Sequence, residues 1–253
     1  MDKELISFLK DTIINAGEIA LKLRDQGLNI EYKEDGSPVT NADKEVSNYI
    51  FSKISLLPKK FPVICEEKPI VDLGNNNYFW LIDPIDGTRG FIKNKDSFTV
   101  NIALIKDKKP YIGLIYNPPL RKLYYTDHQL NYCMEQDGNL PAISLVQREH
   151  DIALVGASHF NNKTAKFLKA LNLSEIMTIS SSIKLCMIAE GAGDVYPNFR
   201  SSMEWDIAAG HAIVNAAGGK LTDVEGKELS YGKASFTSPH FMAYSKRWVN
   251  KRS

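Results

Sequence analysis

Asp83 and Asp86 stand three residues apart in Trp80-Leu81-Ile82-Asp83-Pro84-Ile85-Asp86-Gly87-Thr88, where an apolar run carries both carboxylates into a Pro/Gly turn ending on a hydroxyl. A carboxylate at the end of a buried strand is partly desolvated, and a cation or hydrogen-bond donors must offset that cost. Pro84 fixes one backbone torsion, Gly87 permits close approach, and amides opening the next turn can face an anion as helix N-termini do. The pattern suits hard metal ions beside a phosphate. Asp and Gly also favour turns for purely local reasons, so the pair alone leaves both readings open.

Four further acids are candidates to join them. Glu66 and Glu67 follow the apolar run Pro62-Val63-Ile64-Cys65, and a strand ending there could lie beside the one ending in Asp83. They also fit a charged strand exit. Asp206, just before Ile207 in an Ala/Gly-rich helical run, can cap that helix as well as bind a ligand, and the two roles are compatible. Asp43, in Thr40-Asn41-Ala42-Asp43, sits in a capping sequence and carries the same double reading.

The elements that must position these groups follow from periodicity. Leu5, Leu9, Ile13, Ala16, Ala20 and Leu23 mark a long helix stopped by Gly27. Residues 29–39 read as a polar loop, and Val46, Ile50, Ile54 and Leu57 mark a second helix starting near Thr40 to Asp43. Residues 61–65 and 78–82 read as strands, followed by an antiparallel meander over 98–105, 111–116 and 122–126. After about residue 140 strand and helix alternate: strands at 152–155, 176–179 and 194–196, helices at 163–171 and 182–190. A last helix, 207–217, ends at Gly218-Gly219, and residues 220–224 form a strand before the Glu225-Gly226 turn. Two units are expected, an α+β unit over 1–140 with the large antiparallel sheet and an α/β unit over 141–253 that contributes Asp206 and substrate contacts. A cleft between them is the natural ligand site.

Composition excludes several classes. The 253 residues, 43% hydrophobic and 24% charged, describe an ordinary globular chain that needs no staples. With 31 basic against 30 acidic residues the formal charge is +1, so no global field points to nucleic acid or membrane. Cys65, Cys133 and Cys186 show no CxxC spacing and fit a reducing compartment. Neither a signal peptide nor a membrane span is expected. The five histidines lack zinc spacing, and Gly191-Ala192-Gly193 follows a helix, the reverse of a dinucleotide fingerprint.

Taken together, the stretch Trp80 to Thr88, Trp205-Asp206-Ile207-Ala208-Ala209-Gly210, Glu66-Glu67 and Ser37-Pro38-Val39-Thr40-Asn41-Ala42-Asp43 resemble the signatures of the magnesium-dependent, lithium-sensitive phosphatases of the inositol monophosphatase superfamily. The resemblance runs through nearly the whole chain. Within that family, residues 88–92, 98–105 and 181–191 are most similar to the bacterial CysQ-type 3'(2'),5'-bisphosphate nucleotidases. It implies an α/β fold of alternating helix and sheet layers (αβαβα) and hydrolysis of the 3'-phosphate of adenosine 3',5'-bisphosphate, with 3'-phosphoadenylyl sulfate as a further candidate substrate.

The resemblance also implies roles. Glu66, Asp83, Asp86, Asp206 and the Ile85 carbonyl would bind two or three Mg2+ ions, which take oxygen ligands and keep waters. Asp43 and Thr88, with Glu66, would orient and deprotonate a metal-bound water, and Gly87 and Thr88 would hold the scissile phosphate. His159, Lys184 and Arg200 are candidates for the second phosphate. Asn198 stands where the nucleotidases often carry a basic residue, and Arg89-Gly90 where they tend to have Lys-Glu. An inositol or sugar monophosphatase would use the same metals, and a non-catalytic anion-binding protein on this fold would be expected to lack a ligand. A small phosphorylated nucleotide is the expected partner, in the cytoplasm or peripherally on the inner membrane face.

Overall fold

The computed structural model describes residues 3–139, 150–156 and 160–252. Helix α1 (Lys3–Gln26) leads through β1 (Ile30–Tyr32) and β2 (Pro38–Thr40) to α2 (Asn41–Ile54), β3 (Val63–Cys65), β4 (Tyr78–Asp86) and the short α3 (Thr88–Ile92). Strands β5 (Thr99–Lys106), β6 (Lys109–Asn117), β7 (Lys122–Thr126) and β8 (Tyr132–Gln136) follow. The remainder is β9 (Ile152–Val155), α4 (Asn162–Ala170), β10 (Glu175–Thr178), α5 (Ile183–Ala189), β11 (Val195–Asn198), β12 (Ser202–Met203), α6 (Glu204–Ala216), β13 (Lys220–Asp223), β14 (Thr237–Ser238), β15 (Phe241–Tyr244) and α7 (Lys246–Asn250).

Alternation along the strands builds the layers. The six-stranded sheet has the order β3-β4-β5-β6-β7-β8, with β3 parallel to β4 and every later pair antiparallel. Trp80 and Ile82 of β4 pack with Leu9, Ile13, Val46 and Ile50 of α1 and α2, whereas Phe79 and Leu81 pack with Leu185 of α5 and Ile207 and Ala208 of α6. The period of two thus divides one strand between two cores. The five-stranded sheet, ordered β10-β9-β11-β15-β13, sends Ile152 and Leu154 into the α5/α6 core and Ala153 and Val155 toward Leu168 of α4 and Trp248 of α7. The order is therefore helices, large sheet, helices, small sheet, helices, as the resemblance implied. No described helix is long and apolar enough to cross a membrane.

Three expectations change. The polar loop at 29–39 is an antiparallel hairpin pairing Ile30 with Thr40 and Tyr32 with Pro38, its β1 exposed throughout and so without an apolar face to betray it. The helix expected from Ile207 begins at Glu204, because Asp206 is a first-turn residue and not its cap. That helix is also not the last, since α7 follows β15.

Candidate active site

Strands β3 and β4 run side by side with Cys65 opposite Ile82, so Glu66 leaves the sheet next to Asp83, as their apolar runs predicted. Strand β4 continues through Pro84 to Asp86. Asp83 faces Asn101 but Asp86 faces Thr99, so β4 holds one extra residue here, a bulge that bends the strand and re-aims its side chains. Pro84 lacks an N–H and costs no ladder bond at such a point. Gly87 then takes φ +91°, a left-handed value that favours glycine, and Thr88 opens α3.

Thr40 caps α2 and, with Asp43, forms a full capping box. The Thr40 amide and hydroxyl both donate to Asp43 Oδ2, at 2.7 and 2.6 Å, which leaves Asp43 Oδ1 to face the Thr88 hydroxyl at 3.2 Å. Thr88 Oγ1 also lies 3.0 Å from the Ile85 carbonyl. Asp206 repeats the device on α6, accepting from the Met203 amide at 2.9 Å. The capping reading of Asp43 holds, whereas Asp206 acts from the third helical position and not from before the helix; Asp206 lines the cleft, and Asp43 meets cleft-lining Thr88.

The electrostatics set this cluster apart. Burial, followed by repulsion from Glu66, Asp86, Asp206 and Asp43, pushes the Asp83 carboxyl well above the usual range. Burial, then Asp86 and Glu66, does the same to Asp206. Burial raises Asp86 against the pull of Lys184 and of hydrogen bonds from Ser182. Asp43 is pushed up to about 6, mainly by burial, which outweighs the Thr40 hydrogen bonds. Such mutual elevation marks buried like charges awaiting a counter-ion.

Glu66, Asp83, Ile85, Asp86, Gly87, Thr88 and Asp206 line one cleft of about 290 Å³, together with Lys184 and Arg200. Lys184 is 5% exposed, donates to the Ser181 carbonyl and lies 5.0 Å from the centroid of the Tyr196 ring. Burial lowers its ammonium to about 8 against the attraction of Asp86, which still leaves most of it charged at neutral pH. Asn198 also lines the cleft and donates to Ser202 Oγ at 2.8 Å. His159 lies outside the described residues.

Sequence reading missed Lys33, Asn101 and Ser182. Lys33 reaches from the β1–β2 turn to Glu66 Oε1 at 2.8 Å and Glu67 Oε1 at 2.7 Å, partners too distant in sequence to be foreseen. Burial would lower its ammonium, but the two glutamates outweigh that and raise it. Asn101 did carry a signal, a polar side chain within the apolar run Val100 to Ile105.

Among the described residues no three His, Cys, Asp or Glu side chains close on one point tightly enough to ligate an ion as they stand. The donor set nonetheless fits a hard cation. Asp83 Oδ1 is buried without a hydrogen-bond partner, its neighbours are carboxylates, and the Ile85 carbonyl accepts from the Thr88 hydroxyl. Oxygen donors short of a full shell suit an ion that retains waters.

The model of the inositol monophosphatase family matches residues 1–251. The chain belongs to this family. Among inositol monophosphatase family relatives, the 3'(2'),5'-bisphosphate nucleotidase CysQ of Buchnera aphidicola is 37% identical, over 88% of this chain and 86% of that protein. CysQ of Salmonella typhimurium is also 37% identical, over 90% of this chain and 94% of its own. The crystal structure of CysQ from Bacteroides thetaiotaomicron, a bacterial member of the family, superposes with a TM-score of 0.84 at 32% identity, covering 97% of this chain and 98% of that one.

Proposed function

We propose that this chain is a magnesium-dependent 3'(2'),5'-bisphosphate nucleotidase that converts adenosine 3',5'-bisphosphate to AMP and phosphate. The observation that carries the reaction type is the set of mutually elevated carboxylates beside the Thr88–Asp43 contact in one cleft. The likeness to the CysQ nucleotidases supports the substrate.

Glu66, Asp83, Asp86, Asp206 and the Ile85 carbonyl would hold two or three Mg2+ ions. Bound there, they supply positive charge to phosphoryl oxygens and make water more acidic. Gly87 and Thr88 hold the scissile phosphate. Thr88 has one hydroxyl hydrogen; when it is given to Asp43 Oδ1, the Thr88 oxygen is free to accept a proton from the attacking water. Asp43, at about 6, is mostly ionised at pH 7 and can take up that proton. The freed electron pair forms the new P–O bond, the bond to the 3'-oxygen breaks, and that oxygen takes a proton from solvent water to leave as the 3'-hydroxyl. Lys184, held against Tyr196, meets the second phosphate, with Arg200 in the same cleft.

Phosphate release from adenosine 3',5'-bisphosphate, 3'-phosphoadenylyl sulfate and inositol 1-phosphate, with and without Mg2+ and Li+, tests this reading. The nucleotide is expected to show the highest kcat/KM, with full dependence on Mg2+ and inhibition by Li+. A preference for inositol 1-phosphate would assign a sugar monophosphatase instead, and binding without turnover a regulatory protein. Thr88→Ala is expected to lower kcat by about 10²- to 10⁴-fold, the usual worth of positioned proton transfer. Its Mg2+ affinity, measured by calorimetry, should change much less than kcat, because of the five proposed ligands the Thr88 hydroxyl touches the Ile85 carbonyl and none of the four acids.

A further inference from the structure

A chain of buried polar groups stands behind Asp86, two of them in β5, which is otherwise apolar up to Lys106, and one just before α5. Thr99, Asn101 and Ser182 are 0%, 1% and 4% exposed. Thr99 Oγ1 lies 2.7 Å from Ser182 Oγ, and Ser182 Oγ lies 2.8 Å from Asn101 Oδ1. An amide oxygen only accepts, so the single Ser182 hydroxyl hydrogen goes to Asn101 and Thr99 must donate to Ser182. This order fixes the Asn101 amide with its oxygen toward Ser182 and its Nδ2 turned the other way.

That other way is the carboxylate cluster. Asn101 is the cross-strand partner of Asp83, and paired residues project to the same face of a sheet. The backbone amide of Ser182 donates to Asp86 Oδ2, bringing the same residue into contact with both Asp86 and Asn101. Asn101 Nδ2 is buried without a hydrogen-bond partner, and interaction with the Asn101 side chain favours the charged form of Asp86. A flipped amide would set its oxygen against the carboxylates, acceptor facing acceptors. The carboxylates on one side and the Ser182 hydroxyl on the other therefore select the amide orientation, with Thr99 in contact with that hydroxyl.

We propose that Asn101 is a positioning residue for the cation site: its Nδ2, oriented by the Thr99–Ser182 relay, donates to Asp86 and fixes that carboxylate as a ligand while leaving Asp83 Oδ1 free for the ion. The inference rests on reading this cleft as a cation site. Groups that orient metal ligands in this way are typically worth about 10- to 100-fold in metal affinity.

The test is Mn2+ binding to the purified full chain by calorimetry, without substrate. Asn101→Leu, similar in volume but without the amide, is expected to bind Mn2+ about 10- to 100-fold more weakly than wild type. Thr99→Val keeps its shape, removes the donor that starts the relay, and should weaken Mn2+ less. Thr99→Val added to Asn101→Leu should cost nothing further, because the relay acts only through the amide. A merely structural role would lower the melting temperature in EDTA and leave the Mn2+ affinity of the folded protein unchanged. Wild-type affinity in Asn101→Leu overturns the proposal. If that variant does not fold, Thr99→Val decides, weaker binding supporting the relay and unchanged binding overturning it. A wild-type chain that binds no Mn2+ would instead overturn the reading of the cleft as a cation site.

Discussion

Replacing Asp83 by asparagine is expected to lower turnover by about 10³-fold, the upper range for loss of one group that stabilises developing charge, while raising the melting temperature of the metal-free protein at pH 7.5. The two effects have one origin. Asp83 is 1% exposed, opposes Asn101 in the sheet, and is elevated first by burial and then by Glu66, Asp86, Asp206 and Asp43. Asparagine fills the same space and carries no charge. Without a cation, wild type must hold Asp83 protonated or repelled, and the variant is free of that cost.

The sign follows from proton linkage. The folded carboxyl titrates above its ordinary value of 3.8, so between that pH and the folded value the native state binds more protons than the unfolded chain. Stability of wild type therefore falls as pH rises through this window. Below about 4 both states are protonated, and the advantage of asparagine is expected to vanish there. Saturating Mg2+ should reverse the order at pH 7.5, because a ligand that binds only the folded state stabilises it in proportion to its affinity. Melting curves in EDTA and in Mg2+, paired with phosphate release, check all three parts. Near-wild-type turnover would remove Asp83 from the site, and a lower melting temperature in EDTA would mean that the cluster is not strained by its own charge.

What the sequence disclosed about this site depended on whether neighbours in space left a local trace. Glu66 and Asp83 could be placed side by side because each ends an apolar run, and two such runs in one sheet bring their ends together. The capping box at Thr40 and Asp43 was equally visible, since its four residues are contiguous. The bulge that re-aims Asp86 was not, because it exists only relative to Thr99 and Asn101 on the partner strand. Nor was the β1–β2 hairpin, whose first strand is solvated on both faces and lacks the alternation that marks a half-buried strand. Its consequence, the Lys33 contacts to Glu66 and Glu67, depends on that pairing. Strand β15 lies between β11 and β13 in the small sheet yet has four residues, too few for a period to declare itself.

The second large effect is expected outside the carboxylate cluster, at Gly113 in the middle of β6. Helix α6, which carries Asp206, lies across the large sheet, and at Gly113 the two backbones meet. A methyl group there would stand 2.2 Å from the Ala209 carbonyl oxygen and 2.9 Å from Ala212 Cβ. The nearest obstacle is backbone, so no rotamer change can relieve it. Gly113→Ala must therefore lift α6 off β6 or distort β6, and overpacking of this kind typically costs about 1–3 kcal/mol. For a chain of this length that corresponds to a fall in melting temperature of roughly 5–10 °C at the upper end. Adding Ala212→Gly should restore little, because it removes the farther contact and leaves the Ala209 carbonyl in place. Because Asp206 sits in the first turn of the helix that moves, Mg2+ affinity should fall together with stability, although Gly113 touches no ligand. A melting temperature unchanged from wild type would show that the seam between helix and sheet is looser than these contacts require. A loss of stability with full Mg2+ affinity would separate the placement of Asp206 from the packing of the rest of α6, leaving its capping bond from Met203 as the interaction that holds the carboxylate.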